Sequence, residues 1–404
     1  MSEFRFPPHP LTQPGHPCCS NCREGRTSCE KGDVGRNEVN PREWESVGYV
    51  NVLSNEARQD ARRIRLGTIS QSKSIMSREG VDSRGGILVH LATRQAFRRI
   101  HLPSLVTTAS ELPYPPASVA RSPEVRLPGF SPRSEGARPF SAPTKTEQVP
   151  AGCKGLLQPL DPDFRLRKTG REQYPWRCFA KIIIKSAGSF DNLGSGVFVG
   201  PKHILTAAHN IWDCFNGSCG LTGTSWEAHF PYHVRNATWL WIHPNWHAGD
   251  TQNVNLDYGV IILDEPDNYS PGCLSMYAPS SKEIAGPNVY GFPSDLLACK
   301  DSPFPEDGCE PWGKCGDNLY VGTMNIAISQ VKKYRFGGHV NTQMGQSGGP
   351  YLIWSLGKRV VIGVHSQGNG QFGLAKRLHS DSIFNIVNLA IKPHPHKFWG
   401  TSCG

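Results

Sequence analysis

From residue 174 onward, apolar runs of strand length alternate with turns rich in Gly, Pro and Asn. The clearest runs read SGVFVG, HILTAAH, TWLWIHP, DYGVIIL, NVYGFP, GGPYLIW, RVVIGVH and FGLAKRL, and Phe179–Lys185 (FAKIIIK) opens the series. Each is too short for a helix and rich in β-branched and aromatic residues, so the pattern predicts an all-β fold of sandwich or barrel type. One stretch departs from it: Ser380 to Leu389 has helical spacing and predicts a C-terminal helix. Ahead of residue 150 the core material thins out. Residues 55–100 carry one candidate basic helix, with Ile87, Leu88, Leu91, Ala96 and Phe97 at roughly helical spacing. Residues 101–150 are rich in Pro, Ser and Arg and are expected to be an extended linker. The expected organisation is therefore a largely disordered region over 1–150, a candidate propeptide, and a linker over 151–173. Arg165, Arg167, Lys168 and Arg171 in that linker are read as exposed, candidate processing sites. The folded domain spans 174–404.

Composition changes the picture in two ways. The formal net charge is +9, and residues 1–150 hold 21 Lys plus Arg against 15 Asp plus Glu. So mild a surplus, spread over a polar tail, argues for solvated charge over a nucleic-acid or membrane surface. No apolar run is long enough to span a membrane, and no dinucleotide or phosphate loop is present. Of 13 cysteines, eight follow residue 175 (Cys178, Cys214, Cys219, Cys273, Cys299, Cys309, Cys315 and Cys403). That density argues for an oxidising compartment, with Cys214–Cys219 and Cys309–Cys315 as candidate small-loop bridges. Glycosylation tripeptides at Asn216, Asn236 and Asn268 agree with a secreted domain, the expected location. The opening residues hold no apolar core of an export leader, so the chain as written needs another export route or a different start.

The candidate chemistry gathers on three motifs. GQSGGP places Ser347 between glycines, LTAAHN places His209 at the end of an apolar run, and NLDYGVIIL opens on Asp257. A serine hydroxyl needs a base to take its proton, and that base needs a carboxylate to orient it and stabilise its charge. His, Asp, Ser is one chain order in which such a triad is built. Asp250 and Asp264 are the rival acids, the first in a polar turn and the second in a DEPD loop. His203, His229, His233, His243 and His247 lack the motif and are read as surface or structural.

With these motifs the sequence resembles the chymotrypsin-like (trypsin-fold) serine proteases. The resemblance implies two six-stranded antiparallel Greek-key barrels, about 174–272 and 273–392, meeting near residues 270–280. It also implies an oxyanion hole from the N–H groups of Gly345 and Ser347. Its nearest branch is the glutamyl endopeptidases, which it is similar to through YPWR, NLDYG, YGFP and the pocket residues Thr342 and His365. In that branch a Thr and a His at these places hold a substrate Glu carboxylate. Asn341 occupies the pocket floor where trypsin-like enzymes carry an Asp, and Ser366, Gln367 and Gly368 are the expected edge for substrate strand addition. Gln346 replaces the Asp that receives a newly freed N-terminus, so activation by that ion pair is not expected. Asn210 replaces the usual Cys after the active-site His, and the Leu297–Gly316 insertion has no assigned counterpart.

The expected protein is thus a monomeric serine endopeptidase acting on proteins or peptides and preferring Glu (or Asp) before the scissile bond, with no cofactor, metal, nucleic acid or membrane partner. One alternative is a catalytically silent binding protein of the same fold. The other is a zinc-dependent DNA-binding segment, because Cys19, Cys22 and Cys29 resemble half of the fungal two-zinc, six-cysteine cluster. The second half of that cluster is missing from the next hundred residues.

Overall fold

The computed structural model describes residues 44–54, 57, 85–99, 165–168, 170–186, 192–216, 218–231, 233–264, 274–294, 318–355, 357–368 and 371–391. In chain order the strands are β1 (Trp44–Tyr49), β2 (Ile87–His90), β3 (Gln95–Arg99), β4 (Leu166–Lys168), β5 (Phe179–Lys185) and β6 (Asn192–Gly200). Then come β7 (His203–Thr206), β8 (Trp212–Phe215), β9 (Ser218–Leu221), β10 (Ser225–His229), β11 (Val234–Ile242) and β12 (Gly259–Leu263). The last six are β13 (Asn288–Gly291), β14 (Leu319–Thr323), β15 (Arg335–His339), β16 (Pro350–Ser355), β17 (Lys358–Gly368) and β18 (Phe372–Arg377). Among the described residues the short α-helices α1 (Pro244–His247) and α2 (Ser380–Asn385) complete the set, and α2 runs on into a π-turn over Ile386–Ile391.

The first barrel runs β11-β10-β5-β6-β7-β12 and closes where β12 pairs with β11. Its inward positions are the β-branched and aromatic residues of the apolar runs, and β12 (GVIIL) is buried throughout. The second sheet runs β15-β18-β17-β16-β13-β14-β4. Two reciprocal hydrogen bonds between Asn325 and His339, 2.8 and 2.9 Å, tie the ends of β14 and β15 and bring this sheet round on itself. Residues 274–280 cross between the two: Leu274 N–H donates to Phe198 O on β6 and Tyr277 N–H to Val361 O on β17, both at 2.9 Å. All the apolar runs of the sequence lie on strands. The expected C-terminal helix is α2 with its π-turn, whose buried Ile383, Phe384, Ile386 and Leu389 supply the apolar face.

Three expectations are corrected. Over residues 85–99 the basic helix expected within 55–100 is instead the hairpin β2–β3. Ile87, Leu88 and Val89 are all fully buried, which suits a strand covered on both faces, and the run is too short to bury a helix stripe. Strand β1 pairs with β3 in turn, so part of the region read as tail carries ordered sheet. The basic residues 165–168 are not a free linker either, although Arg167 is exposed as expected. Strand β4 pairs with β14, and Arg165 is buried. Of the two proposed small-loop bridges, Cys214–Cys219 is formed across the β8–β9 hairpin. The Cys309–Cys315 pair, the Leu297–Gly316 insertion and the Cys19, Cys22, Cys29 cluster fall outside the described residues.

The second core centres on Phe336, Val289, Met324, Tyr351 and Ile362. Phe336 is fully buried and meets the Tyr351 ring edge-on at 5.1 Å. Phe336→Ala should therefore cost about 3–5 kcal/mol, while the half-exposed Val234→Ala should stay within about 1 kcal/mol. Denaturant midpoints of the two variants check this; equal losses would place the core elsewhere.

Candidate active site

The loop after β7 carries His209 in a single 3-10 turn, Ala208–Asn210, and the chain reaches Asp257 through another, Val254–Leu256. Strand pairing β7–β12 (Gly259↔Thr206) sets these two loops side by side at one barrel rim. Asp257 is fully buried. Its Oδ1 accepts from the His209 backbone N–H at 2.9 Å and its Oδ2 from His209 Nδ1 at 2.7 Å. Ser366 Oγ, on β17 of the second sheet, donates to the same Oδ2. A buried carboxylate is tolerated only when its lone pairs are occupied, and here the donors also fix the imidazole plane. The rival Asp250 instead accepts from Asn253 Nδ2 at 2.9 Å.

Ser347 comes to the same rim from the other barrel. Its carbonyl accepts from Ser195 N–H at 2.8 Å and from Asn210 Nδ2, the neighbour of His209, at 2.9 Å. Nothing in the sequence marks Ser195, because SGVFVG reads as one more strand. Yet it is buried and fully engaged: its Oγ donates to Gly345 O at 2.7 Å and accepts from Phe292 N–H at 2.9 Å. Its own carbonyl accepts from Thr206 Oγ1 at 2.8 Å. Gly345 and Gly348 take φ of +89° and +84°, a region that favours glycine. They have no room for more. A Cβ would stand 2.4 Å from Phe292 O at Gly345 and 2.1 Å from Thr206 Oγ1 at Gly348.

The peptide planes around the serine are held from behind. Met344 O, on the plane that carries the Gly345 N–H, accepts from Ser294 N–H at 2.7 Å and Ser294 Oγ at 3.0 Å. Gln346 O, on the plane of the Ser347 N–H, accepts from Gly349 N–H at 2.9 Å. Gln346 is wholly buried, and its Oε1 accepts from Gln343 N–H at 2.9 Å and from Arg165 Nη1 at 3.4 Å. A neutral amide thus sits behind the serine, where an Asp would need a counter-charge.

Asn341, Thr342, His365, Ser366 and Gln367 are all buried and lie beside this turn. His365 N–H donates to Gly349 O and Gly348 N–H to His365 O, both at 2.8 Å, which joins β17 to the serine turn. Nδ1 of His365 shares a 3.1 Å hydrogen bond with the buried Tyr351 hydroxyl. Burial pushes His365 down to about 3, with the nearby His209 adding to the shift and Asp257 opposing it. Burial also raises the Tyr351 phenol, so that hydroxyl keeps its proton. Thr342 Oγ1 is buried without a hydrogen-bond partner among the described residues. At Gly368 a Cβ would lie 2.1 Å from Thr342 Oγ1 and 3.3 Å from His365 Nε2, so both atoms border one small space that only glycine leaves open. No cluster of three metal-ligating side chains occurs among the described residues.

Comparison with known proteins gives these features a family. Over 274 residues the chain is 28% identical to a glutamyl endopeptidase of Bacillus licheniformis, covering 63% of this chain and 73% of that protein. It is 22% identical over 230 residues to the complement C1r subcomponent-like protein of Mus musculus, covering 49% of this chain and 43% of that one. A solved Glu endopeptidase in complex with MPD overlays at TM-score 0.43 and 18% identity, over 56% of this chain and 96% of that one. The protease Anisep of Arthrobacter nicotinovorans overlays at TM-score 0.38 and 18% identity, over 53% of this chain and 95% of that one. The trypsin family model matches residues 167–378, just over half of the chain. On that match this chain belongs to the trypsin family.

Proposed function

We propose that the protein is a serine endopeptidase that cleaves peptide bonds after Glu through Ser347, His209 and Asp257. The observation that carries this reading is the buried Asp257 holding both the backbone and the ring of His209 while Asn210 and Ser195 hold the Ser347 carbonyl. In it Ser347 Oγ attacks the substrate carbonyl and passes its proton to His209 Nε2. Asp257 stabilises the imidazolium. The Gly345 and Ser347 N–H groups receive the charge that develops on the carbonyl oxygen; fixed planes, held by Ser294 and Gly349, cost no reorganisation at that moment. The imidazolium then protonates the leaving amine, and water repeats the cycle on the acyl-enzyme.

The preference for Glu rests on Thr342 and His365. In this reading the Tyr351 hydroxyl donates to Nδ1, which leaves the proton of the neutral His365 ring on Nε2 as a donor beside the Thr342 hydroxyl, unpartnered among the described residues. Two donors in a space lined by buried residues suit a carboxylate, and Asn341 adds no negative charge. Strand pairing of β17 with β16 ends at Val364, so residues 366–368 offer an edge for an extended substrate. The Cys214–Cys219 bridge supports secretion as the location.

Three outcomes test this. Ser347→Ala should lower kcat by about 10⁶-fold and Asp257→Asn by about 10⁴-fold, measured on a mixed peptide library by mass spectrometry. A wild-type chain that neither cleaves the library nor takes up a serine-directed covalent probe would instead establish a silent homologue. Second, wild-type cuts should fall after Glu. Thr342→Val and His365→Phe should each lower kcat/KM for Glu peptides by about 10- to 100-fold more than for Gln peptides, and equal losses would remove the pocket role.

The third outcome concerns acid. His365 is held neutral in the folded protein down to about pH 3, against an ordinary value of 6.5. Between those values the unfolded chain binds the proton and the folded one does not. The stability it contributes is therefore complete above pH 6.5 and is lost as pH falls toward 3. Urea unfolding of His365→Gln should show a shallower loss between pH 6.5 and pH 4 than the wild type; parallel curves would refute this.

A further inference from the structure

Strands β1, β2 and β3 precede the family-matched region in the chain, yet they are built into its first barrel. Strand β11 pairs with β10 only as far as Asn236. From Trp239 to Ile242 the edge that β10 vacates is taken by β2, in the register Trp239↔His90, Leu240↔Val89, Trp241↔Leu88 and Ile242↔Ile87. Ile87, Leu88 and Val89 are fully buried, and the His90 and Phe97 rings lie 4.5 and 6.0 Å from that of Trp239. The approach is tight: a Cβ on Gly86 would stand 2.1 Å from Trp241 Nε1.

Three anchors lie away from that edge. Leu53 N–H donates to Leu221 O and Leu221 N–H to Asn51 O, at 2.9 and 2.8 Å, which fastens the chain after β1 to β9. Arg94 Nη2 donates to Thr224 O at 2.7 Å, ahead of β10. Gly85 N–H donates to Asn385 Oδ1 of α2 at 3.3 Å. Asn385 Nδ2 in turn donates to the Tyr258 hydroxyl at 3.0 Å, next in the chain to Asp257. Removing the segment would bare a strand edge and the faces of Trp239 and Trp241, the kind of surface that folded sheets keep covered.

We propose that the described segments 44–54 and 85–99 are a permanent part of the folded protein and not a removable leader. They serve as the strand layer that completes the β11 edge, so a cut between residues 100 and 164 gives a two-chain protein. The occupant of that edge is this segment of the same chain, and the reading does not depend on the catalytic assignment.

The experiment uses the full chain with a site-specific protease sequence inserted between Val125 and Arg126. After cutting, the sample is passed over a sizing column at about 1 µM and examined by native mass spectrometry. Both fragments are expected in one species with one unfolding transition, since retention at about that concentration needs a Kd well below it. Recovery of the first fragment by itself overturns the proposal, whatever state the remainder is in. A Leu88→Asp variant cut in the same way should release the segment, because an unpaired carboxylate at a fully buried position cannot be accommodated there. Continued co-elution of that variant would overturn the assignment to β2.

Discussion

Ser195 is the point at which the two barrels have to agree. Its amide, hydroxyl and carbonyl are all committed, to Ser347 O, to Gly345 O and Phe292 N–H, and to Thr206 Oγ1. A buried polar group left without a partner costs about 1–3 kcal/mol, so each of these bonds has to be made once the barrels close. Meeting that constraint places the serine turn of one barrel against the histidine loop of the other. Gly348, pressed onto Thr206 and Ser195 O, lets the backbones come close enough for it.

Burial of charge imposes the second constraint. Asp257 lies out of solvent, so its oxygens are filled by His209 and by Ser366, one donor residue from each side of the cleft. The same logic explains Gln346. There the amide oxygen accepts from Gln343 N–H and from the Arg165 guanidinium without bringing a charge of its own into the buried place. Arg165 reaches it because β4 is pinned to β14. Basic residues that read as a linker are thereby drawn into the support of the serine turn.

The β-hairpin ahead of the barrel follows from an unpaired edge. Strand β11 is longer than its partner β10, and closure with β12 satisfies only one of its sides. Strand β2 fills the remainder, and the contact from Gly85 through Asn385 to Tyr258 connects this added layer with the strand that follows Asp257.

Local pattern determined most of the strands, the C-terminal helix and the His209, Asp257 and Ser347 motifs, because strand length, β-branched content and short motifs are properties of neighbouring residues. YGFP and GQSGGP were readable for the same reason. The hairpin was not: Ile87, Leu88 and Val89 make a run too short to separate helix from strand, and the deciding partner, β11, lies far along the chain. Ser195 and Arg165 were equally silent, one a small residue in a strand and the other one basic residue among several. Their importance comes from which carbonyl or amide stands opposite them, and only tertiary packing decides that. Sequence by itself thus determined the elements and the chemistry on offer, while the folded structure decided which buried polar groups must satisfy one another.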